Sequence, residues 1–495
     1  MRSHFLLAAA SGLALLGGVA ADAQTRSTRT QGALSAREIE TARQQHPQVI
    51  QEFGGAETGA RANYVASVGR RVAAQSGTGN AGQAYVVTTL NSPVMNAFAV
   101  PGGYVYITRQ LMGIMNDEAE LAGVLGHEVG HIAANHSRSR QARAQRNAIG
   151  GLLGGLLGSL IGTNNILGSL LSRAPEIAQL NTLAFSREQE LQSDQLGVRY
   201  ITAAGYDPLA LAGMLNQLEV NSTIQARAEG REMRTTPSWA STHPLSAERV
   251  RRATQLAQQT GRAGTGLRNR DVFLNALDGV LVDDDPRQGI VDGNTFRHPD
   301  LRIRFTTPAG YTMQNGTQAV TVSGNAGQAQ FAGGQHNGSM SDYIARVYQG
   351  LTGGQAQVSI PSIRTTSVNG IPAAYTVARI QAQQGPLDVG VFAYQWDANM
   401  KYHFLTIARA GSGFGPFEGM VQSVSRLSAS EAASIRPRVL DVVTVGPRDT
   451  VATLASRMAY PNYQLERFLA LNGLNANTPL RSGQRVKLVV YGSRA

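Results

Sequence analysis

The chain has 495 residues, enough for about three domains with substantial cores. Its formal charge of +11 comes almost entirely from arginine, since only Lys401 and Lys487 are lysines, and it permits contact with anionic surfaces without selecting one. Because cysteine is absent, disulfides and thiolate metal sites are excluded, and any metal must be held by histidine and carboxylate side chains.

The N-terminus has the pattern of a cleavable secretory signal. Arg2 gives a basic start, residues 5–19 are apolar, and residues 21–23 fit a small-residue cleavage site. We therefore expect residues 1–23 to be a signal peptide and residues 24–35 to be disordered. The mature protein is then expected in the periplasm, without a cysteine for lipid attachment.

Two helices and two strands are predicted next. Apolar spacing favours helices over 36–53 and 59–76, and residues 85–90 have the composition of a strand. A turn over 96–103 leads into a second strand. Its residues are Tyr104, Val105, Tyr106, Ile107 and Thr108. We expect this strand to lie at a sheet edge and to receive an extended substrate by main-chain pairing, with an ordinary core strand as the alternative.

Residues 126–131, Gly-His-Glu-Val-Gly-His, form the motif around which the chain is organised. An acidic run at 116–120 and helically spaced apolar residues predict a helix here. His127 and His131 are four residues apart, so they share a helical face and can bind one metal ion. Zinc needs neutral imidazoles, a third protein ligand and a position for water, and Glu128 is placed to accept a proton from that water. The alternative is a buried helix with two incidental histidines.

A basic run over 137–146 is followed by an apolar, glycine-rich stretch over 149–171. Its glycines recur at every fourth position, which would let a helix approach a partner closely, but the apolar part is short for a membrane span. We expect a lid over the active site. Peripheral contact of 149–171 with a membrane surface is the second interpretation.

Glu190 and Asp194 supply the second half of the predicted site. They are four residues apart on a predicted helix, so one carboxylate can bind zinc while the other hydrogen-bonds a ligating imidazole. Glu188 competes for the ligand role, but it lies about 200° around the helix from Glu190. A solvated acidic helix face is the alternative for this segment alone.

The sequence His127-Glu128-x-x-His131 followed by Glu190-x-x-x-Asp194 resembles the gluzincin proteases of the HtpX and CAAX-prenyl-protease family. The soluble, BepA-like periplasmic branch is the most similar in layout, and the resemblance covers roughly residues 36–258. It implies one zinc ion per chain with His127, His131 and Glu190 as ligands, Glu128 as the base, and Asp194 as hydrogen-bond partner of a ligand.

His243 and Arg249 are further candidates for the site. Thr242-His243-Pro244, followed by Arg249, resembles a later segment of that family, in which a histidine can approach the metal and hold the enzyme shut. A loop or capping role for His243 stays open. The metzincin spacing is absent, so we expect His136 to be a surface histidine rather than a ligand.

Residues 263–294 are predicted to be a linker, and residues 295–430 a separate α+β domain without recognisable chemistry. The pattern predicts strands at 301–305 and 320–322, a helix at 341–351, and two strands within 388–407 joined near 397–399. Such a domain would bind or position a partner.

Residues 437–490 resemble a LysM peptidoglycan-binding module of strand–helix–helix–strand form. Asp449-Thr450-Val451, Leu471-Asn472-Gly473-Leu474 and Leu480-x-x-Gly483-Gln484 carry the resemblance. Arg448 replaces the glycine usually found before the Asp-Thr pair, so the fold is better supported than glycan binding.

The sequence thus predicts an α+β protein with a mainly helical, zincin-type protease domain over 36–262, a small edge sheet, an α+β domain and a LysM-like module. Its predicted function is that of a secreted zinc endopeptidase acting on unfolded or misassembled envelope proteins. The alternatives are a peptidoglycan cross-link peptidase and a chaperone or scaffold with a latent metal site. Peptidoglycan is a candidate partner of the C-terminal module, whose glycan binding stays open, and we expect no nucleic-acid partner.

Overall fold

The computed structural model describes residues 34–78, 84–138, 184–228, 243–351, 359–382, 385–475, 477 and 479–493. The predicted signal peptide, nearly all of the predicted disordered N-terminus, and the predicted lid or membrane contact over 149–171 lie outside the described residues.

Helices dominate the first half of the chain. They are α1 (Ala36–Glu52), α2 (Ala60–Ala73), α3 (Arg109–Ile114), α4 (Glu118–Ala133), α5 (Arg187–Ala203), α6 (Leu209–Ala228), α7 (Ala247–Gln259) and α8 (Arg270–Leu277). The metal-motif helix α4 is almost entirely buried, since α2, α5 and α6 all pack against it. Because α4 has packed neighbours on several sides, its apolar residues are spread over several faces of the helix rather than confined to one.

The first sheet has three strands, β1 (Val86–Leu90), β2 (Ala97–Val100) and β3 (Tyr104–Thr108), in the order β1-β3-β2. β3 pairs in parallel with β1 and antiparallel with β2, and all of its residues are buried. The expectation that β3 is an edge strand for substrate is therefore wrong, because both rows of its backbone groups are already paired. The edges of this sheet are β1 and β2.

The side chains of β3 also have structural uses. Tyr104 and Tyr106 pack beneath α1, while Val105 and Ile107 enter the main core on the opposite face. This alternation follows from the two-residue period of a strand. Thr108 begins α3 by accepting a hydrogen bond from the backbone N–H of Leu111 at 3.2 Å.

The segment predicted to be a linker is instead packed into the fold. It contains α8 and the short strand β4 (Leu281–Val282). Phe273, Leu277 and Val280 on this segment belong to the same hydrophobic core as α4. Residues 272–282 are largely apolar, and this was the signal in the sequence for their burial.

The middle of the chain is rich in antiparallel strands. They are β5 (Ile290–Asp292), β6 (Thr295–His298), β7 (Ile303–Thr306), β8 (Thr312–Asn315), β9 (Val320–Gly324), β10 (Gly327–Gln335), β11 (Arg364–Val368), β12 (Ile371–Ala382), β13 (Gly385–Gln395), β14 (Met400–Arg409) and β15 (Ser425–Arg426). Three helices accompany them, α9 (Met340–Leu351), α10 (Glu418–Gln422) and α11 (Ala429–Ser434).

These strands form a seven-stranded sheet in the order β11-β12-β13-β14-β10-β9-β8 and a four-stranded sheet in the order β15-β7-β6-β5. Phe305, Phe331 and Phe404 are part of one core that joins the two sheets, and α9 covers another part of the larger sheet with Tyr343 and Tyr348. The predicted strand pair joined near 397–399 is present as β13 and β14.

The C-terminal module consists of β16 (Arg438–Thr444), α12 (Val451–Ala455), α13 (Gln464–Leu471) and β17 (Arg485–Tyr491). β16 pairs with β17 on one side and with β4 on the other. The predicted strand–helix–helix–strand order and the α+β class are thus confirmed. Among the helices that the structure describes, none combines the length and apolar character needed to cross a membrane.

Candidate metal centre

The candidate metal centre lies where α4 crosses α5. The Asp117 side chain begins α4 by accepting a hydrogen bond from the Glu120 backbone N–H at 3.0 Å. Ser186 begins α5 in a reciprocal capping box with Gln189. These local signals place the first turn of each helix and therefore the direction in which its later side chains point.

Glycines let the two helices approach each other closely. A Cβ atom at Gly197 of α5 would lie 3.2 Å from the backbone nitrogen of His127, and one at Gly130 of α4 would lie 3.2 Å from the Ser193 carbonyl oxygen. Both distances are shorter than ordinary van der Waals contact. The close crossing brings the carboxylates of α5 within reach of the histidines of α4.

Four buried side chains meet at this crossing: His127 and His131 from α4, Glu190 from α5, and His243 from the segment before α7. His127 Nε2 lies 3.0 Å from His131 Nε2, and His131 Nε2 lies 3.3 Å from Glu190 Oε1. His243 Nδ1 lies 3.3 Å from His127 Nε2 and 3.0 Å from Glu190 Oε1. Ligands about 2.0–2.1 Å from a tetrahedral zinc ion are separated by about 3.3 Å, so this donor set suits one zinc ion.

Asp194 and Arg249 support the cluster from behind. His127 Nδ1 lies 2.9 Å from Asp194 Oδ1, which leaves His127 Nε2 directed at the other donors. Arg249 donates from Nε and Nη2 to the two Asp194 oxygens at 2.8 and 2.7 Å, and its Nη1 lies 2.7 Å from Glu190 Oε2. One buried guanidinium therefore holds both carboxylates of α5.

The protonation states of His131 and Glu190 favour metal binding. Burial places the pKa of the His131 imidazole well below its ordinary value, so this ring is neutral. Burial alone would raise the pKa of Glu190, but the charges of His243 and Arg249 outweigh it and hold that pKa well below the ordinary value. A neutral imidazole and an ionised carboxylate are the forms that bind zinc.

Glu128 lies beside the four donors. Its carboxylate is buried, and Oε1 has no hydrogen-bond partner among the described residues, with His243 Nε2 3.6 Å away. Burial raises the pKa of Glu128 above its ordinary value. A carboxylate in this position can accept a proton from a water molecule at the metal.

The expectation that His136 is a surface residue is wrong. Its side chain is buried, and its Nδ1 lies 2.9 Å from His131 Nδ1. Asn135 has a left-handed backbone conformation, with φ 56°, which turns the chain back after α4 ends. The Phe185 ring stacks on His131 with centroids 3.8 Å apart. The asparagine directly after the last helical turn was the signal in the sequence for this return.

The structure thus brings together the predicted ligands, the predicted base, Asp194, and the candidate regulatory or active-site residues His243 and Arg249. Glu188, the competitor for the ligand role, is exposed and is not part of the four-residue donor cluster. The predicted substrate strand β3 is not at a sheet edge. The contributions of His136 and Phe185 were missed, because neither residue belongs to the His-Glu-x-x-His or Glu-x-x-x-Asp spacing.

Comparison with known proteins assigns two parts of the chain. The family model described as peptidase family M48 matches residues 59–257, and the LysM domain model matches residues 443–489. The first match contains α4, α5 and His243, and therefore all four residues of the donor cluster.

Curated relatives match the same part of the chain. Mitochondrial metalloendopeptidase OMA1 from Schizosaccharomyces pombe is 28% identical over 191 residues, which are 38% of this chain and 51% of that protein. The protein of the same name from Arabidopsis thaliana is 29% identical over 127 residues, 26% of this chain and 24% of its own length. Beta-barrel assembly-enhancing protease from Escherichia coli is 27% identical over 173 residues, 34% of each chain.

The chain therefore spans about half or less of each of these relatives. The matched stretch carries the buried His127, His131 and Glu190 donors, in agreement with a metalloendopeptidase relationship. Residues 59–257 are thus a peptidase family M48 domain, and residues 443–489 are a LysM domain.

Proposed function

We propose that the protein is a zinc-dependent endopeptidase. The observation that carries this proposal is the buried Glu128 carboxylate beside the donors His127, His131 and Glu190. A metal held only for stability needs no additional carboxylate with a free acceptor oxygen next to it. Hydrolysis does need one, because a proton must leave the attacking water.

The chain's own residues have separable tasks in this reaction. When bound, the zinc ion supplies Lewis-acid activation of water and of the peptide carbonyl. Glu128 accepts the proton of the water at Oε1 and delivers it to the leaving amine. Asp194 holds His127 in the required tautomer through Nδ1, and Arg249 prevents the two buried carboxylates of α5 from repelling each other.

His243 makes this state a resting one. As a fourth donor it would take, when zinc is bound, the position that catalysis requires for water, because catalytic zinc sites have three protein ligands. His243→Ala should therefore raise the rate of peptide cleavage while zinc stays bound. A fall in rate with zinc retained would instead assign His243 a direct part in the reaction.

The proposed substrates are unfolded or misassembled proteins of the bacterial envelope, and the proposed location is the periplasm. Two observations support this. The N-terminal sequence has the features of a secretory signal. Relatives from Escherichia coli and Yersinia pestis are named beta-barrel assembly-enhancing proteases. The LysM domain would keep the enzyme at peptidoglycan.

Cleavage of peptidoglycan cross-links is the second candidate function. It is favoured by the LysM domain, which would bring a peptidase to this polymer. It differs from the first proposal in its substrate and uses the same Glu128 chemistry. Purified cross-linked muropeptides and an unfolded outer-membrane protein, offered in parallel, distinguish the two.

The decisive experiment compares Glu128→Gln with Glu188→Gln in the full chain. The first change should retain zinc and lower the cleavage of unfolded casein about 10²–10⁴-fold, because the amide cannot accept the proton. The second is a matched control, since it makes the same change at an exposed position on α5. Equal cleavage by Glu128→Gln and the unmodified protein would remove Glu128 from the mechanism.

A trapping experiment tests the substrate class. Glu128→Gln should retain bound but uncleaved clients when it is isolated from envelope extracts. Recovery of outer-membrane polypeptides with this variant supports cleavage of unfolded envelope proteins. Recovery of peptidoglycan fragments bound at its metal centre supports cleavage of peptidoglycan cross-links.

A further inference from the structure

His136 forms a buried connection between a metal donor and the surface of α5. Its Nδ1 lies 2.9 Å from His131 Nδ1, and its Nε2 lies 3.0 Å from Gln192 Oε1. The Ser193 hydroxyl lies 3.4 Å from the same Nδ1, and Gln189 Nε2 donates to the His136 carbonyl oxygen at 3.4 Å. Gln192 and Ser193 of α5 thus contact the ring, and Gln189 holds the backbone of the same residue.

The direction of each hydrogen bond in this connection follows from proton counting. His131 directs Nε2 at Glu190 and His127, so Nε2 must be free of a proton to bind metal. The proton of the neutral ring is then on Nδ1, which donates to His136 Nδ1. His136 must accept there, so its own proton is on Nε2, which donates to Gln192 Oε1. Only one arrangement of protons satisfies all three groups.

The two ligating histidines are therefore supported differently. His127 has a carboxylate, Asp194, at its Nδ1. His131 has a neutral imidazole at the equivalent atom. A further carboxylate here would add negative charge to a buried site in which Arg249 already serves both Glu190 and Asp194. The neutral imidazole of His136 orients His131 without adding another buried negative charge.

We propose that His136 is a positioning residue that fixes the tautomer and orientation of His131 through a relay ending at Gln192. This rests on the proposed zinc site and adds to it a residue outside the His-Glu-x-x-His motif. Outer hydrogen-bond partners of metal-bound histidines typically change metal affinity about 10–100-fold when they are removed.

The test compares three variants of the full chain by zinc affinity, measured by competition with a chelator, and by the visible absorption of the cobalt-substituted protein. His136→Phe keeps a ring but has no acceptor, so zinc affinity should fall about 10–100-fold and the cobalt spectrum should shift. His136→Asn places a carbonyl oxygen near the former Nδ1 and should restore most of the affinity. Gln192→Leu, at an exposed position, should weaken zinc binding in the same direction by a smaller factor.

The outcomes separate the relay from the metal site. Equal losses in His136→Phe and His136→Asn would show that the acceptor does not matter and would overturn the relay. The relay is also overturned, while the metal site stands, if Glu190→Ala loses zinc but His136→Phe and Gln192→Leu keep the unmodified affinity. An unmodified protein that binds neither zinc nor cobalt would overturn the proposed function and the relay together.

Discussion

At the scale of single residues, the candidate centre depends on burial as much as on chemistry. His127, Glu128, His131 and Glu190 are all almost completely inaccessible to solvent. Charged groups in such surroundings need partners, since desolvation costs several kcal/mol per ion. Arg249 and the histidines provide these partners, so the site is held in place before a metal binds.

The first prediction concerns Glu190 as the third ligand. Glu190→Ala should lower zinc affinity at least about 10-fold, because it removes one of three ligands of a catalytic site. Zinc analysis after dialysis against a chelator measures the effect. Glu188→Ala is the matched control on the same helix and should keep its zinc. Full zinc in Glu190→Ala would place the third ligand elsewhere.

At the scale of secondary-structure elements, the close crossing of α4 and α5 is the feature that assembles the site. Helices cannot approach this closely where side chains intervene, and Gly126, Gly130 and Gly197 remove them. The donors lie on both helices, so a small change in their separation changes every distance in the cluster.

The second prediction is that Gly197→Ala destabilises the protein and weakens zinc binding. The new methyl group would lie 3.2 Å from the His127 nitrogen, and overpacking of this kind costs about 1–3 kcal/mol. A better helix propensity offsets up to about 1 kcal/mol of that loss. Urea unfolding and chelator competition measure the two effects.

Gly213→Ala on α6 is the control for this prediction. A methyl group there would meet its nearest atom at 3.7 Å, an ordinary contact, so the variant should be as stable as the unmodified protein or slightly more stable. Similar behaviour of the two alanine variants would contradict the importance of the close crossing.

The third prediction concerns acid stability of the middle sheets, where β14 meets α9. Burial lowers the pKa of His403 to about 4, and its Nδ1 lies 2.9 Å from the Tyr343 hydroxyl. The ordinary histidine pKa in an unfolded chain is about 6.5. Between these values the unfolded chain binds the proton more readily, so the free energy of unfolding should fall as the pH drops from about 6.5 towards 4.

Trp396 is buried in this region and reports on it by fluorescence. In a Trp239→Phe background, Trp396 is the only tryptophan of the chain. Urea unfolding of this protein should give a lower free energy of unfolding at pH 5.0 than at pH 7.5. His403→Asn keeps an acceptor but cannot titrate, so its free energy of unfolding should fall less between these pH values. An equal loss in both proteins would exclude His403 as the source.

At the scale of the whole molecule, the C-terminal module is part of the protease core. Leu440, Phe468 and Leu488 of the module belong to the same hydrophobic cluster as Leu121 and Met115. Lys487 is fully buried and donates to the carbonyl oxygens of Gly113, at 3.0 Å, and of Met115, the residue that follows α3 in the short connection to α4. The LysM domain therefore supports the helix that carries the metal motif.

The fourth prediction is that Lys487→Met destabilises the metal-binding half of the protein. Two buried carbonyl groups would lose their donor, which costs about 1–3 kcal/mol. Zinc affinity and thermal unfolding of the metal-binding half measure this loss.

The control is the other lysine, Lys401. It is also buried and donates to the His336 carbonyl oxygen, but it lies in the middle sheets. Lys401→Met should destabilise the middle sheets, as measured by unfolding followed through Trp396 fluorescence, and should leave zinc affinity unaltered. Equal effects of the two changes would contradict a specific connection.

The sequence by itself determined the local parts of this protein. His127, Glu128 and His131 could be assigned to one helix face because the helical period relates residues four apart, and Glu190 and Asp194 followed from the same period. The strand–helix–helix–strand order of the C-terminal module and the strand pair around 397–399 were equally local. In each case the deciding contacts join residues close in the chain.

Only the tertiary structure decided which distant segments meet. The sequence did not show that His243 completes the donor set, that His136 returns to His131, or that β3 is paired on both sides. Nor did it show that the LysM domain shares a core with the M48 domain. These features depend on contacts between residues far apart in the chain, which packing of the whole molecule selects and which no local period records.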